Sequence, residues 1–354
     1  MKIGNITLSK VNLQLARPYT IAFKTIETVE NGIIKISSTT GLTGFGAFNP
    51  CYEVIGETLD EAFHALTEEN LQWLQGRDIS EIDKLCIEVQ KKFASNTSAR
   101  IGLEIALYDL FTQSINMPLV RYLGQKITSM PTSITIGIKN VEETIEEAKE
   151  YVDRKFKILK IKLGISLEED IERLVKLREL FRNTIELIID ANQGYDQHHI
   201  IQFYTQTSHL NIHLIEQPLK VGEEKMMSRL PDHIKQLIAA DESLITPSDA
   251  VTLAGPPKAC GFFNIKLMKC GGITEALKIA EIASGSEMGL MWGCNDESII
   301  SITAALHTAF ASANTKYIDL DGSLDLAEDV VKGGFILKDG IMSIADRPGL
   351  GLIH

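Results

Sequence analysis

Five charged residues recur at an even spacing through the second half of the chain: Lys162, Asp190, Glu216, Asp241 and Lys266, separated by 28, 26, 25 and 25 residues. Each closes a short apolar, β-rich run. Three carboxylates without His or Cys partners form a hard, all-oxygen donor set, which favours Mg²⁺, with Mn²⁺ as the alternative, over zinc. A metal held there with open positions can bind and polarise a substrate carboxylate. A lysine precedes the acids and another follows them. Two ammonium groups aimed at one metal site would have their pKa values lowered toward the range of a general base. Two bases on opposite faces of one carbon are what a 1,1-proton transfer requires: one removes the α-proton and the other returns a proton from the far side.

Such a set works only if the elements bring it together. From about Thr132 onward, eight β-rich runs alternate with helix-length stretches: Thr132–Ile138, Ile158–Leu163, Glu186–Ile189, His213–Ile215, Leu237–Ala240, Phe262–Ile265, Gly289–Trp292 and Tyr317–Leu320. A strand, a helix and two short loops fill about 25 residues, so the spacing is that of βα units in a TIM-like barrel, whose strand ends converge on one mouth. In Lys160-Ile161-Lys162 the period of two places both lysines on one face, the barrel interior. The second and sixth strands lie across an eight-stranded barrel, so Lys162 and Lys266 should face each other. On the eighth strand, Asp319-Leu320-Asp321 puts two more carboxylates at the mouth. The first 125 residues read differently, as α+β: strands at Ile3–Leu15, Gly32–Ser38 and Gly44–Asn49, then helices at Thr58–Leu74, Ile79–Phe93 and Ala99–Ser114. The expected division is 1–125 as an α+β capping domain, 126–325 as the barrel, and 326–354 as a terminal segment that returns to the first domain.

Composition sets the outer bounds. With 354 residues the chain is long enough for a barrel and an addition. Lys and Arg number 35 against 47 Asp and Glu, a net charge of -12, which argues against nucleic-acid and anionic-membrane partners. Five scattered cysteines fit neither a disulfide framework nor a zinc site, and with no apolar leader segment the expectation is a cytoplasmic protein. Gly44-Phe45-Gly46 is too short for a dinucleotide fingerprint, Gly271-Gly272 reads as a turn after Lys266, and the scattered histidines have no ligand spacing.

Lys160-x-Lys162, Asp190-Ala-Asn192, Ile215-Glu216-Gln217-Pro218, Ala240-Asp241-Glu242-Ser243 and Asn264-x-Lys266 with Gly271-Gly272 together resemble the enolase superfamily, muconate-lactonizing subgroup, over essentially the whole chain. The resemblance implies an α/β architecture, a (β/α)7β modified TIM barrel with an N-terminal α+β capping domain. It implies Asp190, Glu216 and Asp241 as Mg²⁺ ligands, Lys162 and Lys266 as bases acting through an enediolate, and Asn192 and Glu242 as orienting residues behind them. No histidine stands where a mandelate racemase-like member would carry its base. The Asp319-x-Asp321 pair is similar to that of the dipeptide epimerases, where it holds the substrate ammonium, and Thr135 and Lys160 join the implied substrate contacts. The implied activity is Mg²⁺-dependent epimerisation at the C-terminal residue of a dipeptide. A muconate cycloisomerase or o-succinylbenzoate synthase is the alternative, but their substrates carry no ammonium. Two capping loops, Arg17–Thr25 and Cys51–Thr58, should set specificity. Lys24 stands where Ala-Glu epimerases carry an arginine, and Asn295-Asp296 departs from the usual seventh-strand pattern. The expected substrates are Ala-X dipeptides, small or apolar such as Ala-Ala, or Ala-Glu. A homo-oligomer is expected because closed homo-oligomers are the common outcome, and the resemblance implies a role in cell-wall peptide recycling or in peptide catabolism.

Overall fold

The computed structural model describes residues 1–21 and 24–354, with side chains given outside 18–26. The chain opens with an antiparallel sheet of β1 (Ile3–Ile21), β2 (Lys24–Ser38) and β3 (Thr43–Phe48). The helix Thr97–Ser114 lies against this sheet. It is apolar nearly all round and buries Ile101, Leu103, Ile105, Leu107 and Leu110, as a helix does when it is covered on every side. Two expectations are corrected. The segment 17–25 is in part strand: after an irregularity between Gln14 and Tyr19, β1 and β2 pair again from Tyr19 with Ile26 to Ile21 with Lys24, and residues 22–23 lie outside the described residues. The expected helix over 58–74 is broken into Leu59–Ala65, Glu68–Leu71 and a 3-10 turn Gln72–Leu74, because the Thr67 side chain accepts the Asn70 N–H and starts a new helix.

After β4 (Ser129–Pro131) comes the barrel: β5 (Ser133–Ile136), β6 (Ile158–Lys162), β7 (Glu186–Asp190), β8 (Ile212–Glu216), β9 (Ile238–Ala240), β10 (Phe262–Ile265), β11 (Gly289–Trp292) and β12 (Thr315–Ile318). All pair in parallel in sequence order, and a parallel bridge from Thr132 to Ile318 joins the first strand to the last. Helices follow the first seven strands and none follows β12, so the sheet is the expected (β/α)7β barrel. Alternation then layers the interior. Ile158, Ile188, Leu214, Ala239 and Met291 make an apolar floor. Two residues further along the same strands stand Lys160, Asp190, Glu216, Asp241 and Gly293, so the polar layer lies directly on that floor.

The chain ends in small sheets, β13 (Lys332–Gly333) with β16 (Leu352–Ile353), and β14 (Phe335–Lys338) with β15 (Ile341–Ile344) against β4. The last residues lie on the first domain: the Leu350 N–H donates to Asp109 Oδ1 at 2.8 Å and the Phe45 ring meets His354 at 4.6 Å. Among the described residues no helix is long and apolar enough to cross a membrane.

Candidate active site

The three carboxylates at the ends of β7, β8 and β9 are fully buried, Asp190 and Glu216 at 0% exposure and Asp241 at 2%. Asp190 and Glu216 stand in direct register, as do Lys162 and Asp190. Each acid faces ammonium groups. Lys162 Nζ lies 2.7 Å from Asp190 Oδ2 and 3.0 Å from Asn192 Oδ1, and Lys266 Nζ lies 2.9 Å from Asp241 Oδ2. Lys160, only 3% exposed, sits deeper, 3.2 Å from Asp190, 2.8 Å from Glu216 and 2.8 Å from Asp319. β6 and β10 are four strands apart in a ring of eight, so the lysines approach the carboxylates from opposite sides.

The electrostatics follow from this packing. Burial works against the charge of Asp190, but Lys162 and Lys160 outweigh it and hold its carboxyl below the usual range. Glu216 moves the other way, raised by burial and then by the neighbouring Asp190. For Lys266 burial is outweighed by Asp241 and Glu216, so its ammonium is held above its ordinary range. For Lys266 the lowering expected for a base therefore calls for a further positive charge on the same carboxylates.

The donor set fits such a charge. Three buried carboxylates repel one another unless cations share them, and Glu216 Oε2 has no hydrogen-bond partner, Lys160 lying close but out of line. Among the described residues no three acidic, His or Cys side chains converge as ion ligands in these rotamers, since each acid is turned to a lysine. Asp190, Glu216 and Asp241 are nonetheless the groups that could hold a hard dication.

The eighth-strand acids divide their tasks. Asp319 is engaged at both oxygens, by the Ser133 hydroxyl and by Lys160 Nζ. Asp321 receives one backbone amide, that of Thr135 at 2.7 Å, and its carboxyl is raised by burial and by Asp319 and Asp325. Glu242 is half-buried, takes a hydrogen bond from Gln193 Nε2 at 3.3 Å, and is raised by burial and by Asp241. The side chain of Lys24 lies outside the described residues.

Sequence reasoning missed three positioning residues. Lys269 is buried and donates to both the carboxylate and the backbone carbonyl of Asp241 and, at 3.2 Å, to the Asn264 carbonyl. Gln217 accepts the N–H groups of Asp241 and Ser243 on its carbonyl and donates to Leu219 O and Ser243 Oγ, which fixes the turn after β9. Asn264 donates to Glu216 Oε1 at 2.8 Å. The spacing of Lys269 three residues after Lys266 was the available signal, because it puts the lysine one helical turn further on and back toward the strand end.

The cap is bolted to the barrel beside this site. Glu104 of the helix Thr97–Ser114, fully buried, receives the Thr274 N–H and hydroxyl at the start of the helix Ile273–Gly285. A Cβ on Gly272, whose φ is +112°, would strike the Glu104 carboxylate, so Gly271-Gly272 serves the turn and this contact. Burial pushes the Glu104 carboxyl up to about 7. A carboxyl raised on folding contributes stability that is fully present below its unfolded pKa and is lost as pH rises through about 7. Glu104→Gln should therefore flatten the fall in stability between about pH 4.5 and 8, a difference on the order of 3 kcal/mol. Denaturant unfolding of both proteins across this range checks it. Parallel pH profiles would contradict the assignment.

Two family profiles match the chain: "Mandelate racemase / muconate lactonizing enzyme, N-terminal domain" over residues 3–124, and "Enolase C-terminal domain-like" over residues 143–353. The chain belongs to the mandelate racemase / muconate lactonizing enzyme family of the enolase superfamily. Among curated members of this family, the L-Lys-D/L-Arg epimerase of Methylococcus capsulatus is 48% identical over 100% of this chain and 99% of its own length. The L-Ala-D/L-Glu epimerase of Clostridium acetobutylicum is 33% identical over 99% of each. A crystal structure of the Methylococcus capsulatus dipeptide epimerase, complexed with Mg and the dipeptide L-Arg-D-Lys, superposes with a TM-score of 0.98 at 48% identity and covers 100% of both chains. The expected superfamily, subgroup and fold are thus borne out.

Proposed function

We propose that this chain is a Mg²⁺-dependent dipeptide epimerase whose preferred substrates carry cationic side chains. The observation that carries the reading is the pair of lysines, Lys162 and Lys266, meeting three buried carboxylates from opposite barrel strands with Asp321 beyond them. The sequence relationship to dipeptide epimerases supports it. Asp190, Glu216 and Asp241 would hold Mg²⁺, which when bound supplies the positive charge that favours ionisation next to a substrate carboxylate. Lys162 takes the α-proton of the L-epimer and Lys266 that of the D-epimer, and each returns a proton to the face it serves. Lys160, ion-paired to Asp190, Glu216 and Asp319, is a fixed cation that spans the metal side and the ammonium side of the site. Asn192 steadies the Lys162 ammonium, and Glu242, held by Gln193, stands beside Asp241.

The free ammonium of the dipeptide is assigned chiefly to Asp321, because Asp319 already serves Ser133 and Lys160. Thr135 acts through its amide, which orients the Asp321 carboxylate. Next to Asp321 lies Asp325, raised by burial and then by Asp296 and Glu147, of which Glu147 is itself paired with Lys139 at 2.6 Å and with Arg17 at 3.5 Å. Such an acidic group attracts lysine or arginine side chains and repels a glutamate. We therefore rank the Ala-X dipeptides, Ala-Ala and above all Ala-Glu, below dipeptides of lysine and arginine. The role of Lys24 in choosing among them stays an expectation from sequence.

The test compares free Lys-Arg with its N-acetyl derivative, in wild type and in Asp321→Asn. Charge-assisted hydrogen bonds are worth about 1.5–3 kcal/mol, so N-acetylation and Asp321→Asn should each lower kcat/KM roughly 10- to 100-fold. Equal turnover of the free and acetylated dipeptides would contradict the ammonium assignment. Turnover of an o-succinylbenzoate precursor with no action on any dipeptide would replace this reading with the dehydratase alternative.

A further inference from the structure

Behind Lys162 lies a buried knot of polar side chains that no step above uses. The helix Leu167–Phe181 carries Asp170 and Arg173 three residues apart, on its inner face, at 0% and 2% exposure. Arg173 Nη2 pairs with Asp170 Oδ1, and Arg173 Nη1 donates to the backbone carbonyl of Lys162 at 3.2 Å. Asp170 Oδ2 accepts two more hydrogen bonds, from the Gly164 N–H at 2.9 Å and from the Tyr195 hydroxyl at 2.7 Å. The peptide groups on both sides of Leu163, where β6 ends and the chain turns, are thus gripped by one ion pair. Tyr195 brings in the next two loops, since its own N–H donates to the Pro218 carbonyl and the Gly194 N–H to that of Ala191. Gly164, at φ +104°, and Gly194 touch backbone to backbone, and a Cβ on either would collide with its neighbour loop. The loops after β6, β7 and β8, which follow Lys162, Asp190 and Glu216, are therefore one tied unit.

We propose that Asp170, Arg173 and Tyr195 are positioning residues for Lys162: they fix the strand end from which this base reaches the α-carbon. The proposal rests on the two-base reading above. A buried, desolvated ion pair is weak support for stability alone. This one holds main-chain groups at the base of a catalytic side chain, where a displacement near 1 Å is expected to lower the rate about 100-fold. Lys266 directly follows β10, on the opposite side of the barrel, and among the described residues the knot makes no hydrogen bond to it. The consequence is a handedness in the defect. Loosening the knot should impair proton abstraction on the face that Lys162 serves and spare the face that Lys266 serves.

The experiment follows α-deuterium uptake from D₂O, starting separately from each epimer of Lys-Arg with Mg²⁺ present, in wild type, Tyr195→Phe and Arg173→Lys. Tyr195→Phe removes a single hydroxyl and is the milder change, and thermal melting of the same preparations reports folding. Uptake into the L-epimer should fall about tenfold or more, uptake into the D-epimer should stay within threefold, and KM should change little. An equal fall for both epimers, or a lowered melting temperature with both uptake rates unchanged, overturns the proposal and leaves the knot a structural staple. Wild-type enzyme that exchanges neither epimer overturns the two-base reading, and this inference with it.

Discussion

Replacing Lys266 with methionine should slow inversion about 1,000-fold in both directions, while α-proton exchange from the L-epimer continues. A positioned acid or base contributes about 10²–10⁴ in rate, and methionine keeps the length and apolar stem of lysine while removing its proton. Inversion needs a proton taken from one face and given to the other, so either direction stops when one face loses its lysine. Exchange with retention needs only Lys162, which remains on Asp190 and Asn192. The loss, near 4 kcal/mol in barrier, should fall on kcat more than on KM, because Lys266 is counted on for proton transfer and Asp321 for holding the substrate. The scaffold should tolerate the change, since Asp241 keeps Lys269 on its other oxygen and on its carbonyl. Chiral separation with mass detection, run from each epimer, measures both rates. Inversion within tenfold of wild type, or equal loss of exchange from both epimers, would contradict a two-lysine site.

Glu216→Gln should weaken divalent-metal binding by more than about 100-fold and abolish turnover, and chelation of the wild type should reproduce the loss of turnover. The substitution keeps the shape of the side chain and a contact for Asn264, but removes one of the three charges on which the metal assignment rests. Changes one step further out from a metal already cost about 10–100-fold in affinity. Mn²⁺ titration by calorimetry reads binding independently of activity. Full activity after exhaustive chelation, or unaltered Mn²⁺ affinity in Glu216→Gln, would contradict the carboxylate site.

Much of this site was legible in the sequence because alternation and the βα repeat are both strictly periodic. Knowing that Asp190, Glu216 and Asp241 close successive strands places them side by side, and counting four strands from Lys162 to Lys266 places those two across the barrel. What stayed hidden depends on contacts between segments distant in sequence. Lys160 was read as a substrate contact, yet it is buried among Asp190, Glu216 and Asp319, the last of these 159 residues away. Gln217 lies inside a motif, but its work is done on the backbone at Asp241 and Ser243. The knot of Asp170, Arg173 and Tyr195 has no spacing of its own, since its parts come from a helix and a later loop. The renewed pairing of β1 and β2 from Tyr19 escaped because Arg17 and its neighbours look like loop residues, although Arg17 pairs with Glu147 and Glu150 on the helix Val141–Asp153. The proposed preference for cationic side chains draws on Asp325 beside Asp296; the sequence marked Asn295-Asp296 as a departure but gave no sign that Asp325 lies next to it.

The most direct test of the central claim is to incubate the enzyme with Mg²⁺ and L-Lys-L-Arg in D₂O and to follow mass and stereochemistry together. The expected result is a gain of one deuterium, at the α-carbon of the arginine, in step with formation of L-Lys-D-Arg. No mass gain with this or any other free dipeptide would contradict it.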